Sequence, residues 1–245
     1  MRPKSNTLFH FTKNQDTLKL ILKNGFWPRY CLEDISWIGF PSLEFVAYPM
    51  VCFCDIPLSR ISDHVDFYGE FGIGLTKEWA IKNDLNPVLY IAGIVSVGKS
   101  ITNLMKFVGN INNENQEEYI STFRNINAYI KPCEGRMIVN EQSLPKEFYQ
   151  ESEWRYVPKN VDISDFLHKN DYENKEKLES SNQNTKAHCM LRITPSDIKY
   201  IFVKSDSDIP SIINYIQTEL DSSRSVDLKI LMSRVTSLES ISKDV

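Results

Sequence analysis

The sequence predicts a mixed α+β domain built from many short strands and short flanking helices. Three observations carry that expectation. Apolar runs of strand length recur, such as "MVCFCDI" at 50–56, "PVLYIAGIV" at 87–95 and "IKYIFV" at 198–203. Between them lie stretches with helical spacing of apolar residues and recognisable stops. No internal repeat, heptad pattern or linker divides the chain, so one domain is expected over residues 1–245.

The elements follow in order. "TLFHFT" reads as a first strand, and a helix follows it. Thr12 and Gln15 stand at capping-box spacing, Leu18, Ile21 and Leu22 form the apolar stripe, and Gly25 is the stop. "MVCFCDI" is the next strand. Pro57 then opens a helix with the stripe Leu58, Ile61, Val65 and Tyr68, ended by Gly69. "FGIGL" and "PVLYIAGIV" are strands, with a short helix around "TKEWAIKND". Residues 98–109 read as helix and "NINNENQEE" as a polar loop. "INAYIKP" and "SEWRYVP" are strands, separated by a loop around "NEQSLPKEFYQ". Residues 168–188 hold almost no apolar side chains and are expected to be a mobile loop. "HCMLRI", "IKYIFV" and "LKILMSRVTSL" complete the strands, with a helix near "IPSIINYIQTEL".

The bulk numbers exclude several classes of function. A hydrophobic content of 42% and 24% charged residues are ordinary for a globular domain with a real core. The net charge of −4 argues against general, charge-driven binding of nucleic acid, although a local basic groove is compatible with it. No apolar run is long enough to cross a membrane, and the first residues lack a signal-peptide core, so a cytoplasmic protein is expected. Five scattered cysteines fit reduced thiols better than a disulfide framework. Cys52 and Cys54 form a C-x-C with His64 ten residues on, but no second ligand pair exists and no metal site is expected. The glycines of "YGEFGIGL" match neither a dinucleotide fingerprint nor a P-loop; Gly72 and Gly74 are expected to leave room for close backbone packing.

The most informative stretch is "EFYQESEWRYVP", residues 147–158. Alternation along a strand puts Glu151, Glu153 and Arg155 on one face and Trp154 and Tyr156 on the other. The aromatic pair suits a core, and the charged face suits either water or a site. Taken singly, His10 between Phe9 and Phe11, Tyr68 on its helix stripe and the charged strand face all have ordinary structural readings.

Together, "LFHFT", "PMVCFCDIPLS…H…YGEFGIGLTKEW" and "FYQESEWRYVP" resemble the AbiGi family of phage abortive-infection proteins, whose members are commonly called antitoxins. The order strand His, later aromatic, late-strand Glu also resembles the His-Tyr-Glu layout of ADP-ribosyltransferases. The His10-Phe11-Thr12 triplet is similar to the H-x-T of DarT toxins. That resemblance implies an ADP-ribosyltransferase-like mixed sheet, a split β-sandwich, and NAD+ as substrate with no metal. It implies Glu153 and Glu151 as catalytic carboxylates, one stabilising an oxocarbenium-like ribose and the other handling the acceptor. It further implies His10, Phe11, Thr12, Phe53 and Tyr68 around NAD+, and Gln142, Lys146, Phe148, Tyr149 and Arg155 in a substrate-reading loop. The expected function is then a transferase toxin acting on RNA or DNA, held in check by a neutralising partner. A non-catalytic antitoxin of an abortive-infection system, a transferase acting on protein and a metal-free nuclease are the alternatives.

Overall fold

The computed structural model describes residues 6–39, 44–93, 96–111, 114–139, 142–220 and 224–243. In chain order its elements are β1 (Thr7–Thr12), α1 (Gln15–Asn24), β2 (Arg29–Asp34), β3 (Phe45–Cys54), α2 (Ile61–Tyr68), β4 (Phe71–Thr76) and α3 (Lys77–Lys82). Then come β5 (Asn86–Pro87), β6 (Leu89–Ile91), α4 (Ser96–Asn110), α5 (Gln116–Asn127), β7 (Ile130–Pro132), β8 (Glu134–Val139), β9 (Gln142–Glu147) and β10 (Glu153–Tyr156). The chain ends with β11 (Leu167–His168), α6 (Lys169–Glu173), α7 (Lys175–His188), β12 (Ile198–Val203), α8 (Ile209–Glu219), α9 (Ser225–Met232), β13 (Val235–Ser237) and α10 (Leu238–Ile241). The mixed α+β composition is as expected. The chain's contacts group into two compact units, one of residues 1–26, 52–85 and 190–245 and the other of 27–51 and 86–189. Each unit gathers segments far apart in sequence, which explains why no linker marks the division.

The first unit is organised around β1. Antiparallel β4 pairs with it from Thr7↔Thr76 to Thr12↔Phe71, and β12 lies on the other side of β4, with β13 parallel beyond it. The apolar side chains of β1 meet α2 in one core, where Phe9, Phe11, Ile61, Val65 and Phe202 are all buried and Leu58 and Tyr68 pack at its edge. The helix stripe read from sequence is therefore the packing face. Gly72 and Gly74 make room for rings and, at Gly72, also for backbone: a Cβ at Gly72 would lie 2.5 Å from Phe11 and 3.1 Å from the His10 carbonyl, and one at Gly74 would lie 2.9 Å from Phe9. Helix α1 buries Leu18, Ile21 and Leu22 and ends at Gly25, whose φ of 84° suits glycine. Its cap is Asn14, which accepts from the Thr17 amide, not the Thr12 expected.

The second unit holds β2 and β11, both antiparallel to β3, together with β10 paired to β5 and the parallel pair β6–β7. β8 and β9 form a hairpin where a loop was expected at 140–150. Residues 168–188 are likewise not a loop: α6 and α7 fill them. Polar groups hold α7 where apolar ones are scarce. Asn182 accepts from the Tyr30 amide at 3.0 Å, the Thr185 hydroxyl donates to the Pro28 carbonyl at 2.5 Å, and the Trp27 indole donates to the Asn182 carbonyl at 2.8 Å. Asn182 and Thr185 are buried, and Leu178 packs on the cluster of Tyr30, Ala47 and Leu167. A hydrophobicity count overlooks such a helix because its anchors are hydrogen bonds.

Two smaller differences lie in the first unit. "LKILMSRVTSL" is mostly helix α9 followed by the short β13, and of "HCMLRI" only Leu191 makes a strand-like bridge, to Phe26.

A buried charge cluster as the candidate functional site

The stretch 147–158 falls in the second unit and inverts the expectation drawn from its alternation. Glu151 closes a 3-10 turn, Phe148–Glu151, and Ser152 in left-handed conformation turns the chain into β10. Along β10 the charged residues point inward: Glu153 is 4% exposed and Arg155 0%, whereas Trp154 and Tyr156 are half-buried. The reason is a set of partners delivered by other elements, so that the charges are buried as pairs.

Arg155 is the centre of this set. Its Nε donates to Glu153 Oε1 at 2.7 Å, Nη2 donates to Glu33 at 2.8 Å and to Glu153 Oε2 at 3.2 Å, and Nη1 donates to the Ala128 carbonyl at 2.6 Å. Lys131 of β7 donates to Glu153 Oε2 at 2.9 Å and lies 3.9 Å from both Glu33 and Glu151. Its ammonium also sits 4.2 Å from the centre of the Phe148 ring. Lys146 of β9 pairs with Glu151. Three carboxylates thus meet three cations, and the interior charge balances.

The neighbouring groups are poor nucleophiles and bases. Burial alone would lower the Lys131 pKa, but Glu153 and Glu33 outweigh it and raise it, so the amine stays protonated. Burial pushes the Cys31 thiol up to about 12, with Glu33 adding to it. The Tyr90 hydroxyl, which accepts from the Glu153 amide at 2.8 Å, is also raised by burial, to about 12. Each oxygen of Glu153 already faces a cation of its own chain. A positive charge developing on a substrate would have to compete with both.

The residues expected around NAD+ belong to the first unit. His10 is half-buried on β1, and its Nδ1–H donates to the Cys52 carbonyl at 2.8 Å, which fixes the tautomer. Its ring lies 5.1 Å from Phe26 and 5.6 Å from Phe53. Phe53 is 2% exposed and edge-packed by Phe26 and Trp79, so no ring face is left to stack on a nicotinamide. Phe11 is equally a core residue. Thr12 ends β1 half-buried, and Tyr68 ends α2 with its ring 4.4 Å from His64. Of the five, Phe11 and Phe53 are thus core residues, whereas His10, Thr12 and Tyr68 keep partial exposure. Of the substrate-loop residues, Gln142 begins β9 opposite Val139, Lys146 and Phe148 serve the charge cluster, and Tyr149 is 45% exposed on the turn. Among the described residues no group of His, Cys, Asp or Glu could hold a metal, and no helix is long and apolar enough to cross a membrane.

Three members of the cluster escaped the sequence reading: Glu33, Lys131 and Tyr90. Only Lys131 left a trace, as a lone cation inside the short apolar run "AYIKP".

Comparison with known proteins places the chain among proteins of phage resistance. It is 28% identical to the abortive phage resistance protein AbiGi of Lactococcus lactis subsp. cremoris, an alignment covering 90% of this chain and 99% of that one. The family described as "abortive phage resistance protein AbiGi, antitoxin" matches residues 24–204, and the chain belongs to it. That segment contains the whole charge cluster and excludes His10. No solved structure matches the chain.

Proposed function

We propose that this protein is the neutralising member of an abortive-infection pair, acting by binding a toxic partner protein rather than by chemistry of its own. One observation carries this reading: the carboxylates that would have to catalyse are buried and ion-paired to Arg155, Lys131 and Lys146 of the same chain. A charge-balanced interior of this kind supports a fixed architecture, and breaking any one partner is costly. The family's description as an antitoxin points the same way. The test is expression in a phage-sensitive host. The chain alone should leave growth unchanged, and deleting its gene while the partner gene remains should arrest growth. Growth arrest by the chain alone, relieved by Glu153→Gln, would overturn the proposal.

A second reading is an NAD+-dependent ADP-ribosyltransferase with a nucleic-acid or protein acceptor. It is favoured by the place of Glu151-Ser152-Glu153, directly after the β8–β9 hairpin and the exposed Tyr149 turn. Incubation of the purified chain with labelled NAD+ and separate pools of RNA, DNA and protein decides between the two. Binding alone predicts no transfer to any pool; transfer lost in Glu153→Gln would establish the transferase.

A further inference from the structure

Exposed large apolar side chains are not spread evenly over the described surface. Five of thirteen, Val97, Leu104, Phe107, Tyr119 and Ile126, stand on α4 and α5, which together hold 27 residues of 245. Even spreading would put about one or two there, so the patch is a feature and not background. Helix α4 packs against α5 and against the 3-10 turn Ser36–Ile38. It does so through its narrow side. Gly98 is buried with the Gly93 carbonyl so close that a Cβ would meet it at 2.7 Å, and Thr102 donates to the Ile38 carbonyl at 3.0 Å. At about 100° per residue, Leu104 and Phe107 lie roughly 120–180° around the helix from Gly98, and Val97 about 100° from it. The apolar arc is therefore wider than the face that α4 buries. Phe107 is 66% exposed and Leu104 50%.

The charge of α4 says what kind of surface would cover this arc. Its sequence, "SVGKSITNLMKFVGN", carries Lys99 and Lys106 and no carboxylate. The two lysines are seven residues apart and so share one side, about 80–100° around the helix from Phe107 and about 140–160° from Leu104. Val97 to Phe107 spans about 15 Å, the length over which a docked helix presents anchors at i, i+3 or i+4 and i+7. We propose that the outer face of α4 is a docking surface for an amphipathic helix of a partner protein that bears carboxylates along the edge facing Lys99 and Lys106. This rests on the neutralising role proposed above, and names the surface through which that role would operate.

The test uses the full chain in cells of its own host. A photo-reactive benzoylphenylalanine is placed at Phe107, and at Ile81 of α3, an equally exposed position in the other unit, as control. The expected product is a cross-link at 107 but not at 81, mapping to an apolar segment of another protein that carries Asp or Glu. A synthetic peptide of that segment should bind the purified wild-type chain. Leu104→Glu with Phe107→Glu should weaken binding at least tenfold with circular dichroism unchanged. Lys99→Glu with Lys106→Glu should weaken it several-fold and blunt its salt dependence. Cross-linking only to a second copy of this chain, binding to anionic phosphatidylglycerol vesicles in place of the peptide, or no product above the control each overturns the proposal. Growth protection is scored alongside. Protection retained by the Leu104/Phe107 variant would sink this surface and leave the neutralising role standing; a mapped partner that is not toxic would sink the role and leave the surface.

Discussion

The two units of this chain solve the same problem with opposite materials. The first fills its interior with rings: Phe9 lies 5.7 Å from Phe202, Phe11 stacks on Phe202 at 5.8 Å, and Tyr200 stacks on Phe202 with an interplanar angle of 10°. Half-buried His10 lies beside Phe26 and Phe53, and burial lowers its pKa. The second unit buries Lys131, Glu151, Glu153 and Arg155, borders them with half-buried Glu33 and Lys146, and so balances the six charges. The contrast teaches that the chemistry-bearing residue types in the sequence were poor guides to exposure. The lone His beside phenylalanines is held by a carbonyl, and the charged strand face is the buried one. An aromatic interior tolerates volume-conserving exchange by repacking, whereas a charged interior depends on every partner being present.

The largest expected effect tests that dependence. Arg155→Met removes one of the two cations that Glu153 and Glu33 share, leaving Lys131, and should cost about 3–5 kcal/mol in urea unfolding. Replacing Glu33, Lys131, Glu153 and Arg155 together by Met or Leu removes two charges of each sign and keeps the Lys146–Glu151 pair. That variant should return to within about 2 kcal/mol of wild type, because well-packed apolar groups often match a buried ion network. If it does and phage resistance is lost, the cluster is kept for function. If stability stays low, the cluster is the framework of its unit.

A smaller effect is expected in the aromatic unit. Gly72→Ala drives a methyl to 2.5 Å from the Phe11 ring, which must turn within a packed core. A cost of about 1–3 kcal/mol follows from overpacking. An unchanged melting temperature would show that this core yields more readily than its packing suggests.

How much of this was legible follows from which forces act locally. The stripes of α1 and α2, the stops at Gly25 and Gly69 and the strands β1, β4 and β12 depend on apolar spacing, and spacing is written in order along the chain. Helix α7 was not legible because its anchors, Asn182 and Thr185, bond to Trp27, Pro28 and Tyr30 more than 150 residues away. The charge cluster was half legible. Its members on 146–155 form one conspicuous block, but whether they face water depends on Glu33 and Lys131, which arrive from β2 and β7. Local alternation fixes that two residues share a face and leaves open which face is the core.

The smallest effect concerns His10 and separates the two units by pH. Burial lowers its pKa below the ordinary 6.5, and the hydrogen bond to the Cys52 carbonyl opposes that only in part. On acidification the unfolded chain therefore takes up a proton near pH 6.5 while the folded chain does not. Between the folded value and 6.5 the unfolded state binds more protons, so stability rises with pH through that window and is flat above it. One proton limits the slope to about 1.4 kcal/mol per pH unit. His10→Phe keeps a ring against Phe26 and Phe53 and removes the titration. The stability of wild type minus variant, measured by urea unfolding from pH 7.5 to 5, should fall below pH 6.5 and be constant above it. A constant difference throughout would mean that His10 takes up its proton alike in both states. The aromatic unit would then be as tolerant of charge as the other.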